Sequence, residues 1–84
     1  MEKLLIAVTR GTIRLRVGDR TAIVYGEMQS PQVRGVGEPD FHIWREPAPE
    51  WEDVRGLMDQ ATQANVLELA RSELAKLGHH SVIT

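Results

Sequence analysis

Eighty-four residues, 42% hydrophobic and 26% charged with a net charge of −2, have the make-up of one soluble folded domain. A chain this short buries only about 60 to 65% of its unfolded surface and cannot divide that into two cores, so residues 1–84 are read as a single domain. The absence of cysteine excludes a disulfide framework, a thiolate nucleophile and a cysteine-ligated zinc site.

The charge is unevenly spread. Residues 1–37 hold six basic and three acidic groups, giving +3, and residues 38–84 hold four basic and nine acidic ones, giving −5. An acidic chain is a poor general nucleic-acid binder, although the asymmetry can steer a partner. The longest apolar run, Leu4 to Val8, falls far short of the roughly 20 residues of a membrane helix, so no membrane association and a cytoplasmic setting are expected.

From Lys3 to Met28, three apolar runs are separated by two turn signals. Gly18 and Asp19 suit a two-residue type II′ hairpin loop, with glycine supplying the positive φ at the first central position. Arg10 and Gly11 form a second, weaker signal. Two such loops set Leu4 against Val17, Ile6 against Leu15, Val8 against Ile13, Leu15 against Ala22 and Ile13 against Val24. Opposed residues share a face, so the core face collects Leu4, Ile6, Val8, Ile13, Leu15, Val17, Ala22 and Val24. The reverse face collects Leu5, Ala7, Thr9, Thr12, Arg14, Arg16, Thr21, Ile23 and Tyr25. A slip of one residue would drive Arg14 and Arg16 into the core, which argues for this register.

Ser30, Pro31, Gly35, Gly37 and Pro39 then break the pattern and predict a loop, with Val33 to Val36 able to pair briefly at a sheet edge. Asp40 to Trp44 predicts a strand with Phe41 and Ile43 on one side and His42 and Trp44 on the other. Pro47 and Pro49, followed by Glu50, Glu52 and Asp53, suit the first turn of a helix. Trp51, Val54, Met58 and Ala61 recur at helical spacing, with Trp51 as a core anchor. Asn65 to Leu77 is the stronger helix, closed by Gly78.

The two apolar stripes of this helical segment do not line up on one straight cylinder. Either the segment bends around Thr62 to Asn65, with Asn65 capping and Glu68 completing a capping box, or one long helix also contacts a partner as a homodimer surface. The bend is preferred. Val82 and Ile83 predict a final short strand that adds to a sheet edge. The expected fold is therefore α+β: an antiparallel β-meander of three to five strands packed on one face by a C-terminal helical segment, one long bent helix or two helices. A DNA-reading helix-turn-helix over residues 50–77 conflicts with the acidity of the first helix.

No phosphate-cradling loop, nucleophile elbow, zincin motif or calcium loop is present. Asp40, His42, His79 and His80 make a metal set only if the tail pairs beside the middle strand, and no metal or cofactor is assigned. Without a nucleophile or a pocket between domains, no enzymatic activity is expected. The reverse face around Leu5, Arg14, Arg16, Ile23 and Tyr25 has the arginine–tyrosine–aliphatic composition of a binding surface. Against that reading stands the ordinary one, in which the arginine stems merely cover Leu5 and Ile23.

Val8-Thr9-Arg10-Gly11-Thr12-Ile13-Arg14, Gly18-Asp19-Arg20-Thr21 and Gly26-Glu27-Met28, with Phe41 and Trp44 ahead of a proline-bearing segment, resemble the small immunity proteins of bacterial polymorphic toxin systems. In that group the tryptophan is followed closely by paired prolines, whereas here Arg45 and Glu46 intervene and Ala48 separates Pro47 from Pro49. The resemblance implies a non-enzymatic protein that binds and inhibits a cognate toxin. A small single-stranded nucleic-acid-binding protein, with Tyr25 as stacking platform, and a phage-encoded or structural assembly subunit are the alternatives.

Overall fold

The computed structural model describes residues 4–29, 39–52 and 58–84. In chain order the elements are β1 (Leu5–Val8), β2 (Thr12–Val17), β3 (Arg20–Met28), β4 (Phe41–Ile43), β5 (Glu50–Trp51), α1 (Gln60–Lys76) and β6 (Ser81–Ile83). The strands form one six-stranded sheet in the order β1-β2-β3-β4-β6, with β5 also paired to β3. All pairings are antiparallel except β4 with β6. The fold is thus a small α+β domain: a mostly antiparallel sheet with one C-terminal helix packed against it. The expected Val33–Val36 edge strand and Val54 lie outside the described residues.

The β2–β3 hairpin has the register that its turn dictates. Val17 faces Arg20 across a two-residue loop, and Leu15↔Ala22 and Ile13↔Val24 follow. Gly18 has φ 65° while Asp19 stays at negative φ, the pattern of a type II′ turn, whose twist matches that of the flanking strands. At the first hairpin, the Thr9 hydroxyl accepts from the amides of Gly11 (3.3 Å) and Thr12 (3.0 Å). A side chain therefore holds the turn that Arg10 and Gly11 only weakly specify.

One strand departs from the expected register. Val8 faces Ile13 as expected, but a bulge between Leu5 and Ala7 sets Leu5, not Ile6, against Leu15. An extra residue on one strand reverses the alternation beyond it. Leu5 consequently packs against the core and Ile6 is 47% exposed, the reverse of the expected assignment. Ile13, Leu15, Ala22 and Val24 are buried as expected, and Val8 and Val17 pack at the margin of the same core.

The helical reading of Trp51 is also corrected. Glu50–Trp51 is a strand, with Trp51 opposite Ala22 and Glu50 opposite Ile23, and the Glu52 amide continues the ladder to the Thr21 carbonyl (2.8 Å). β4 and β5 lie along the same edge of β3, β4 against Gly26–Met28 and β5 against Ala22–Ile23. They behave as one return strand interrupted by the excursion Arg45 to Pro49. Prolines lack an amide donor and suit such an excursion as well as a helix start. Trp51 is nonetheless a core residue, with the Arg20 guanidinium over its ring at 4.1 Å.

The helix is a single run. Asp59 caps it by accepting from the Thr62 amide at 2.7 Å, so neither Asn65 nor a bend at Thr62 to Asn65 is its start. The mismatched stripes belong to two elements, a strand carrying Trp51 and a helix burying Val66, Leu67, Ala70 and Leu74. At the other end the amide of His79 bonds the Leu74 carbonyl (2.9 Å) and that of Gly78 the Ala75 carbonyl (3.0 Å), a Schellman cap through Gly78 at φ 85°. The chain then turns back and lays β6 parallel to β4, Ser81 beside Phe41 and Ile83 beside Ile43. With Phe41, Ile43, Ile13, Leu15, Val24, Val66 and Leu74 essentially inaccessible, each contributing about 1.5–3 kcal/mol of burial, the core lies between α1 and one sheet face.

Candidate interaction face

Among the described residues, no helix covers the other face of the sheet. The β2–β3 register sets Thr12 beside Tyr25, Arg14 beside Ile23 and Arg16 beside Thr21, so all of these side chains alternate away from buried Ile13, Leu15, Ala22 and Val24. Arg14, Arg16, Ile23 and Tyr25 share this face as expected. Leu5 does not, because the β1 bulge turns it toward the core.

Two carboxylates join the face that the helical reading of residues 50–53 had placed elsewhere. The Tyr25 hydroxyl donates to Glu50 Oε1 at 2.6 Å. Arg14 Nη2 donates to Glu52 Oε1 in an ion pair of two roughly 40%-exposed side chains. Hydrogen bonding to Glu52, and then its charge, hold the Arg14 guanidinium above its ordinary pKa. Among the described residues Arg14 Nε is buried and finds no hydrogen-bond partner, even though the charge is matched by Glu52. Arg16 is exposed, its Nε donating to the Gly18 carbonyl at 3.2 Å.

β4 extends the face on its far side. His42 faces Glu27 across one ladder and lies beside Val82 in the other. The Trp44 amide bonds the Tyr25 carbonyl at 2.8 Å, which continues the β3–β4 register and puts Trp44 beside Tyr25. Ile23, Tyr25, His42, Trp44 and Val82 are all half-buried. Trp44 is the member that attention to the hairpin alone missed, and the alternation of Phe41, His42, Ile43 and Trp44 was its signal.

The face therefore presents two neighbouring aromatic side chains, an aliphatic floor and charges of both signs, with Arg14 matched inside the face. The tail does pair beside β4, as the Asp40, His42, His79 and His80 metal set required. Asp40 Oδ2 lies 3.6 Å from His79 Nδ1 and accepts the His80 backbone amide at 3.0 Å. No group of three such side chains able to hold a metal occurs, however, among the described residues. No helix among the described residues is long and apolar enough to cross a membrane. Comparison of the chain with protein-family models, with curated proteins and with solved structures finds no match.

Proposed function

We propose that this chain is a non-enzymatic protein-binding module that uses the reverse sheet face around Arg14, Ile23, Tyr25 and Trp44. The observation that carries the reading is a half-buried aromatic pair beside an arginine whose charge is already matched by Glu52. Aromatic and arginine side chains dominate the energetics of protein interfaces, and a matched arginine is cheaper to desolvate than a free one. The resemblance to immunity proteins extends the proposal to inhibition of a cognate toxin, with the bound toxin lying against this face.

The test is binding to the protein encoded by the adjacent upstream gene. Trp44→Ala or Arg16→Glu is expected to weaken binding by about 2 kcal/mol, or about thirtyfold, while Gln60→Ser at the helix start leaves it unchanged. Equal affinities across the three variants would remove the face from consideration.

Trp44 beside Tyr25 gives a second reading some support, because two aromatics make a better stacking platform for single-stranded nucleic acid than one. Glu27, Glu50 and Glu52 on the same face oppose it, since they repel phosphate. Titration of single-stranded RNA and DNA at low salt separates the two readings, and micromolar, salt-sensitive binding would favour the nucleic acid.

A further inference from the structure

Charge is unevenly placed around the two aromatic side chains of the reverse face. Arg14 is matched by Glu52. Arg16 lies opposite Thr21, four residues along β3 from Tyr25. At strand spacing that is about 13 Å, beyond the roughly 8 Å screening length of physiological salt. Glu27 is exposed and only two residues from Tyr25 on the same face. Among the described residues no base forms an ion pair with it.

The two tryptophans differ in the same respect. Arg20 lies 4.1 Å over the ring of Trp51, whereas no cation of the described residues lies over Trp44. Glu27 faces His42 across the ladder, so it is the diagonal neighbour of Trp44, a relation that sets such positions about 7–8 Å apart and within reach of long side chains. Cation–π attraction acts within about 6 Å of a ring centroid. A positive group at that distance over Trp44 therefore also comes within reach of the Glu27 carboxylate. On the other side of the pair, the Tyr25 hydroxyl holds the Glu50 carboxylate at 2.6 Å.

We propose that Trp44, Tyr25 and Glu27 receive a cationic side chain of the protein that this face binds. The proposal rests on the reading of the reverse face as a binding surface and adds the chemistry of its partner: a basic residue presented at the aromatic pair. Two ring faces and a nearby carboxylate all favour positive charge there. An arginine suits the site better than a lysine, because a guanidinium is planar, stacks on aromatic rings and is more weakly hydrated.

Nuclear magnetic resonance titration of the full chain with the peptide acetyl-Gly-Arg-Gly-amide tests the proposal. Its citrulline counterpart, nearly the same shape without the charge, and its glutamate counterpart are the comparisons. The arginine peptide is expected to shift the Trp44 indole N–H and the Glu27 amide, and to bind about two- to fivefold more tightly than the citrulline peptide. Trp44→Leu narrows that gap. Glu27→Gln, a change on an exposed side chain, weakens the arginine peptide about two- to fivefold and reduces its salt dependence, while Glu68→Gln on α1 leaves it unchanged. Equal binding of the arginine and citrulline peptides overturns the proposal. So does a preference for the glutamate peptide, an arginine peptide that leaves Trp44 unshifted, or one indifferent to both Trp44→Leu and Glu27→Gln. In each of these cases the binding-face reading still stands if Trp44→Ala weakens the protein complex, and it falls as well only if that variant binds normally.

Discussion

At Gly26 the side chain is missing because two strands need the room. A Cβ there would press into the His42 carbonyl oxygen and into Phe41 Cε1, 2.5 Å away, and the carbonyl belongs to backbone that β4 has already committed to the sheet. Gly26→Ala is therefore expected to cost about 1–3 kcal/mol, read as a lower urea midpoint at unchanged slope. Ser81 is the opposite case. It is 7% exposed and its Oγ finds no hydrogen-bond partner among the described residues. Removing a buried hydroxyl that is already unsatisfied relieves a desolvation cost without breaking a bond. Ser81→Ala is expected to leave stability unchanged or raise it by about 1 kcal/mol, and a loss of that size would show that the hydroxyl is bonded in solution. Much of the reverse face was legible at this scale, because Arg14, Arg16, Ile23 and Tyr25 follow from one hairpin register. Leu5 was not, since consecutive Leu4, Leu5 and Ile6 are alike and nothing in their side chains marks which one the bulge expels.

At the scale of elements, the helix and the return strand show where local signals are ambiguous. Pro47, Pro49, Glu50 and Glu52 satisfy the chemistry of a helix start and equally that of an irregular return to a sheet edge. The open edge of β3 decides between them, and that edge is a tertiary fact. The true helix start is Asp59, whose carboxylate accepts the Thr62 amide, and this bond holds its pKa below the usual aspartate value. A depressed carboxyl pKa stabilises the fold above the unfolded value, near pH 4, and that contribution is lost as pH falls through the lower folded value. Asp59→Ala should lower the melting temperature at pH 7 and lose less on acidification than the parent. Asp59→Asn keeps an acceptor for the Thr62 amide, so it should retain most of the pH 7 stability while sharing the flatter acid profile. Thermal melts from pH 7 to pH 2 check both, and parallel profiles for all three proteins would exclude the cap as an acid-sensitive contact.

Across the whole molecule, the sheet is completed by its most distant parts. β4 has β3 on one side and β6 on the other, and β6 arrives only after the helix has turned back through Gly78. The junction is dense in long-range bonds: Asp40 N–H to the His80 carbonyl (2.7 Å), Thr84 N–H to the Ile43 carbonyl (2.7 Å) and Arg45 N–H to the Thr84 carbonyl (3.0 Å). Phe41 and Ile43, buried to within 1% of complete inaccessibility, lie beside Ser81 and Ile83 on this strand pair. Without β6 a three-residue strand would be left as a sheet edge, with its outward amides unpaired and one flank of the core open to water. Removal of residues 81–84 should therefore abolish the cooperative unfolding transition rather than trim its midpoint, even though it deletes no residue of the helix or of the β1–β3 meander. Circular dichroism melts, together with hydrogen exchange at Phe41 to Ile43, read the outcome. A cooperative melt with those amides still protected would mean that the meander and α1 stand alone and that β6 only decorates the edge. The pairing of β4 with β6 spans about forty residues of chain, so its loop-closure cost is met only once the helix has docked.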